Sequence, residues 1–91
     1  MYLNLGQSVV VHHSEVIGIF DLDNTSSSFR TRKFLERAER EGRVQAVFDD
    51  LPKSFVVCQK RDGTRMIYLT QLSSAALKGR AERSDFTMEG D

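Results

Sequence analysis

The chain has one cysteine, one proline and two histidines in 91 residues, and its 13 basic and 13 acidic side chains cancel. Each shortage excludes something. Cys58 lies in the apolar run Phe55-Val56-Val57-Cys58 and reads as a buried small hydrophobe, not a nucleophile or ligand. His12 and His13 are adjacent, so on a strand they point to opposite faces and cannot both hold one metal; no metal site is expected. There are no internal repeats and no low-complexity linker. No apolar stretch approaches bilayer length, and Met1-Tyr2-Leu3-Asn4-Leu5-Gly6 is strand-like instead of a secretory leader. No membrane partner is therefore expected, and the location expected is cytoplasmic. A neutral balance does not demand nucleic-acid binding, though a local patch or an oligomer can still supply it. Gly18 stands in a strand while Gly42, Gly63 and Gly79 have turns or caps to explain them, so no glycine-rich phosphate loop exists. Ser26-Ser27-Ser28 has no partner base for a serine nucleophile. No cofactor and no small-molecule substrate are expected.

What is there is an ordinary globular composition, 40% hydrophobic and 29% charged, in a length that suits one small domain. Tyr2 to Leu5, Ser8 to His12 and Val16 to Phe20 read as short strands, rich in β-branched residues and too tightly spaced for helical crossovers. Asn24-Thr25-Ser26-Ser27-Ser28 offers N-cap candidates for a helix from about Phe29 to Glu41, with Gly42 as its stop. On that helix Phe34, Leu35 and Ala38 share a face that suits a sheet. Val44 to Phe48 returns as a strand, Pro52 interrupts, and Lys53 to Gln59 turns through Asp62-Gly63 into Arg65 to Thr70. Ser73 or Ser74 caps a short helix through Ala75 to Lys78, with Gly79 as its stop. The fold class expected is α+β: a small, mostly antiparallel sheet of about six strands with one main helix and a short C-terminal helix. Residues 1–82 form the domain and 83–91 a loose tail. So thin a core with open sheet edges predicts a homo-oligomer.

The apolar strand ending in Asp21-Leu22-Asp23-Asn24-Thr25 resembles the first motif of the haloacid-dehalogenase phosphatases. In that family the first aspartate attacks phosphorus and the second is the acid/base. Val44 to Asp50 imitates a second acidic strand, and Lys33 or Lys53 the lysine such an enzyme needs. Only 28 positions separate Asp21 from Asp49 (49 − 21), room for one crossover and no recognition module. The alternative is a polar loop chosen for turn and cap chemistry, and no catalytic residue is assigned.

Basic residues suggest binding. Arg30, Lys33, Arg37 and Arg40 recur at spacings of three and four on one helix face, and Lys53, Lys60, Arg61 and Arg65 gather at strand ends. Long cationic side chains so placed reach phosphate oxygens without reading sequence. The alternative for each cluster is a solvated surface.

Several runs then fall in a telling order: Tyr2-Leu3-Asn4-Leu5-Gly6, Glu15-Val16-Ile17-Gly18-Ile19-Phe20-Asp21, Thr31-Arg32-Lys33-Phe34-Leu35, Leu51-Pro52-Lys53-Ser54-Phe55-Val56-Val57, and Tyr68-Leu69-Thr70-Gln71-Leu72-Ser73-Ser74-Ala75-Ala76-Leu77. Across roughly Met1 to Arg80 this resembles the bacterial extracellular-matrix regulator family, RemA and RemB, and the RemB branch more than RemA. The resemblance implies a non-enzymatic regulator of biofilm-matrix expression with a LytTR-like fold. RemA-type members bind DNA at the periphery of ring-shaped oligomers. It further implies double-stranded DNA as partner, with Lys53 the family-matched contact; Arg30, Lys33, Arg37 and Lys60 join it on charge alone. RemA carries two arginines before the strand matching Phe55-Val56-Val57, where this chain has Asp49-Asp50-Leu51-Pro52. Acids beside a phosphate repel it, so a regulator acting through protein contacts without DNA is the alternative.

Overall fold

The computed structural model describes residues 2–7, 9–22 and 29–81. The Asp23 to Ser28 segment, with its second aspartate and its N-cap candidates, and the 83–91 tail lie outside the described residues. The fold is α+β. Strands β1 (Tyr2–Asn4) and β2 (Val10–His12) pair as an antiparallel ribbon. β3 (Val16–Asp21), helix α1 (Phe29–Arg40), β4 (Val44–Ala46), β5 (Ser54–Gln59) and β6 (Arg65–Thr70) follow, and a second helix, α2, covers residues 74–81.

The strands do not form one continuous antiparallel sheet. They divide into the ribbon and a four-stranded mixed sheet of order β3-β5-β6-β4. β4 runs parallel to β6, Val44 facing Ile67. The reason is the single crossover: β3 leads into α1, which returns the chain to β4 at the far edge with β3 and β4 pointing the same way. Such a parallel arrangement needs a long connection, and α1 supplies it.

The two central strands are buried on both faces, and alternation sorts their side chains. Phe55, Val57 and Ile67 face α1, where they meet Ala38 with Leu35, Leu22, Val44 and Leu69 around them. Val56, Cys58 and Tyr68 face the other way, into a larger core with Leu3, Leu5, Val11, Val47 and Leu77. The sheet is thus a middle layer between α1 and a cover made of the ribbon and α2. Register in the β5–β6 hairpin, open in the sequence, is Phe55 to Leu69, Val56 to Tyr68, Val57 to Ile67 and Cys58 to Met66.

Local chemistry fixes the ends. Gly42 stands at φ 72° just past α1, and Arg43 N–H donates to Ala38 O at 2.9 Å, closing the helix as the sequence suggests. In the β5–β6 loop Gly63 takes φ 90°, its N–H donates to Lys60 O, and Thr64 N–H donates to the Asp62 carboxylate. His12 ends β2 and accepts the Ser14 N–H through Nδ1, a strand-end polar role. Ser73 caps α2, its Oγ accepting from Ala76 N–H at 3.1 Å. Gly79 does not stop that helix: α2 continues through residue 81, and Leu77 in its middle is fully buried. Gly6, at φ 107°, touches the Phe48 ring so closely that a Cβ there would overlap it. Among the described residues no helix is long and apolar enough to cross a membrane.

Ser54 and Thr70 are the two buried polar side chains of the described residues, and they face each other across the hairpin. Thr70 Oγ1 donates to Leu5 O at 2.7 Å and accepts from Leu72 N–H at 3.1 Å, while Ser54 Oγ donates to Leu72 O at 2.6 Å. Thr70→Val keeps the shape but leaves the Leu5 carbonyl without this donor inside the core. We expect a loss of about 1–3 kcal/mol, the cost of a buried unsatisfied group, seen as a lower urea midpoint at unchanged slope.

Candidate nucleic-acid interface

α1 presents two faces with different chemistry. Ala38 is buried and Leu35 half-buried against the sheet. On the outward side Phe29, Arg30, Lys33, Phe34, Arg37 and Arg40 line one open groove. The spacing puts four cations along about 15 Å of helix at 1.5 Å per residue. The Lys33 ammonium sits over the Phe29 ring, 5.3 Å from its centre. Arg37 pairs loosely with Glu41 at 3.8 Å, both well exposed. Arg43 is turned inward to Glu41 at 2.5 Å and donates to Arg65 O. That guanidinium holds the Glu41 carboxyl below the usual carboxylate range.

The five proposed DNA contacts do not form one cluster. Arg30, Lys33 and Arg37 share the outer face of α1, with Arg40 continuing the line. Lys60 lies in the β5–β6 turn. Lys53 precedes β5 at the opposite end of that strand, its N–H donating to Thr70 O and its O accepting from Leu22 N–H. Asp21 pairs with Ser54 at that same end, and Asp49-Asp50 enters it from β4. The acidic pair therefore accompanies Lys53 at one end of the sheet, apart from the helix stripe. Arg40 was legible from its spacing of three beyond Arg37.

Phe34 departs from the expected core face. It is 37% exposed and lines a cleft of about 290 Å³ with Ile17, Phe20, Phe55 and Val57, where α1 leaves the β3 side of the sheet uncovered. Sequence offered no signal for this, because which strand a crossover helix leaves bare depends on strand order.

The acidic strand ends that resemble phosphatase motifs are not neighbours. β3 and β4 point the same way but occupy opposite edges, three strand spacings or roughly 14 Å apart. Asp23 lies outside the described residues. Among the described residues no three His, Cys, Asp or Glu side chains gather as a metal cluster.

Cys58 is buried at 2% exposure. Burial, with the Glu15 carboxylate adding to it, pushes the thiol up to about 11 from its ordinary 9.0. The protonated form dominates at neutral pH, and a thiol so held is a poor nucleophile. We expect no reaction of the native protein with a disulfide reagent at pH 8 and prompt reaction in urea. The folded value lies above the unfolded one, so this group's contribution is fully present below about pH 9. It is lost as pH rises toward about 11, because the unfolded chain gives up the proton first. Urea midpoints across that range, compared with Cys58→Ala, check the sign.

No family model matches this chain. Over 82 residues it is 34% identical to Extracellular matrix regulatory protein B of Bacillus subtilis (strain 168), spanning 90% of this chain and 91% of that protein.

Proposed function

Because the chain belongs to the RemB-like family of extracellular matrix regulatory proteins, we propose that it is a non-enzymatic, cytoplasmic regulator of matrix expression that binds double-stranded DNA as a homo-oligomer. The observation that carries this reading is the outward stripe of α1. Arg30, Lys33, Arg37 and Arg40 follow one another along a single helix face, flanked by Phe29. Such a row offers charge-assisted contacts to successive phosphates without base readout. One stripe binds weakly, and repetition around an oligomer raises the effective concentration of each further contact. A neutral chain suits that design, since identical copies can assemble without a large net repulsion while each keeps a cationic face. Lys60 and Lys53, at the two ends of β5, each add at most one contact, and Lys53 works beside Asp49 and Asp50.

A second reading has its own support. Ile17, Phe20, Phe29 and Phe34 are large apolar side chains left exposed near the helix, which suits a regulator acting through protein contacts.

Titration of labelled duplex DNA across a salt series distinguishes the two readings. The DNA reading expects affinity that falls linearly on logarithmic axes with salt. The double variant Lys33→Ala, Arg37→Ala is expected to reduce that slope by about 2 and weaken binding uniformly across DNA sequences. Absence of binding at low salt, or a double variant indistinguishable from the parent, refutes it in favour of protein contacts.

A further inference from the structure

Among the described residues Leu51 is the most exposed of the large hydrophobic side chains, at 84%. It is not on a slack loop. Val47 N–H donates to Leu69 O on one side and Lys53 N–H to Thr70 O on the other, each at 2.8 Å. Leu51 N–H donates to the Asp50 carboxylate at 3.1 Å, and Pro52 restricts the next step. The tip is a short, tethered projection with an apolar end and two acids behind it.

The cleft between β3 and α1 has the opposite character. Ile17 is 54% exposed, Phe20 40% and Phe34 37%, with Phe55 and Val57 as the floor. A bulge between Val16 and Gly18 displaces Ile17 from regular pairing on this edge strand. The Phe20 ring lies over Gly18, where a Cβ would come within 2.7 Å of it, and stacks on Phe55 at 5.1 Å with planes 20° apart. The wall is therefore set before anything binds. About 290 Å³ of space is near ten times the ~30 Å³ share of one liquid water, ample for a leucine side chain. Arg30 stands on the rim and Lys33 one turn along, facing solvent.

We propose that the Asp49-Asp50-Leu51 tip of one copy docks in the β3–α1 cleft of a second copy, Leu51 entering between Ile17, Phe20 and Phe34 while the aspartates meet Arg30 on the rim. Two features choose a second copy as the occupant. The cleft is apolar with a basic rim, and this chain itself carries the matching element, an exposed apolar tip with acids beside it. Both partners are also largely preorganised, so little ordering entropy opposes the contact. The contact is heterologous: tip and cleft are different surfaces, and each assembly still offers one of each at its ends, so growth continues, as a ring where the rotation closes and as a filament where it does not. It also gives Asp49-Asp50 a role other than repelling phosphate. The inference rests on the self-association in the reading above and not on its DNA contact.

The test uses the purified full chain without DNA, in sedimentation velocity over a concentration series. Leu51→Asp removes the tip and keeps the cleft; Ile17→Asp does the reverse. Each variant alone is expected to sediment as a 10.4 kDa protomer under conditions where the parent assembles. Mixed one to one, they are expected to form a species of about twice that mass, since the intact tip of one fits the intact cleft of the other. Phe34→Asp replaces Ile17→Asp if that change lowers the unfolding midpoint. A parent that stays monomeric, a Leu51→Asp variant that assembles like the parent, or a mixture that stays monomeric overturns the proposal. Complementation by the mixture with no DNA binding by the parent would remove the DNA reading alone.

Discussion

Thr70 ties together three segments that also share the larger apolar core. Its hydroxyl donates to the Leu5 carbonyl of the N-terminal ribbon and accepts from Leu72 at the entry to α2, from a position at the end of the central strand β6. Ser54, its cross-strand partner, secures the Leu72 carbonyl. Buried hydroxyls are costly unless satisfied, and here each is satisfied by backbone that must arrive in one position. An apolar contact tolerates sliding; this network does not. It therefore fixes which face of the sheet the ribbon and α2 cover, and by elimination which face α1 must take.

That allocation sets the candidate surface. One helix on a four-stranded sheet cannot cover it fully, and α1 buries its contact through Ala38 and Leu35 against Phe55, Val57 and Ile67. Because α1 carries the chain from β3 at one edge to β4 at the other, the β3 side stays open. Phe34 flanks that opening and the four cations face away from the sheet. The same helix so presents an apolar flank and a basic back. Zero net charge conceals this separation, since Asp21, Asp49 and Asp50 collect at the end of the sheet where β3 and β4 finish.

Much of this was legible in the sequence because local chemistry decides it. β-branched runs marked the strands, Asp62-Gly63 the hairpin, and Gly42 the end of α1. The cationic stripe followed from helical spacing alone. Strand order was not legible: parallel pairing of β4 depends on where α1 delivers the chain, and local propensity carries no record of that. The bulge at Ile17 and the exposure of Phe34 share this origin. Lys53 was expected as a contact from the family resemblance, yet the fold sets it with Asp49 and Asp50 and apart from the helix. Gly79 looked like a stop because glycine suits helix ends, but Leu77 and its contacts in the core carry α2 past it. Tertiary burial outweighs a glycine's penalty of about 1 kcal/mol.

The division of α1 into flank and back bears on how the two proposed roles, assembly and binding of a polyanion, would coexist in one small domain. If self-contact and phosphate used the same cations, each would exclude the other, and a larger assembly would hold DNA less well. Of the four cations on α1, Arg30 borders both the cleft and the stripe, whereas Lys33, Arg37 and Arg40 line the outer groove and not the cleft. Covering the cleft then removes at most the first cation of the row and leaves the rest facing solvent in every copy. The neutral chain adds no long-range penalty to bringing these rows together. Assembly would also place the acidic tips inside contacts, where they no longer repel phosphate. Reversing which residue faces the cleft, as Phe34 and Arg30 exchanged would do, sets the two roles against each other, although composition and net charge stay the same.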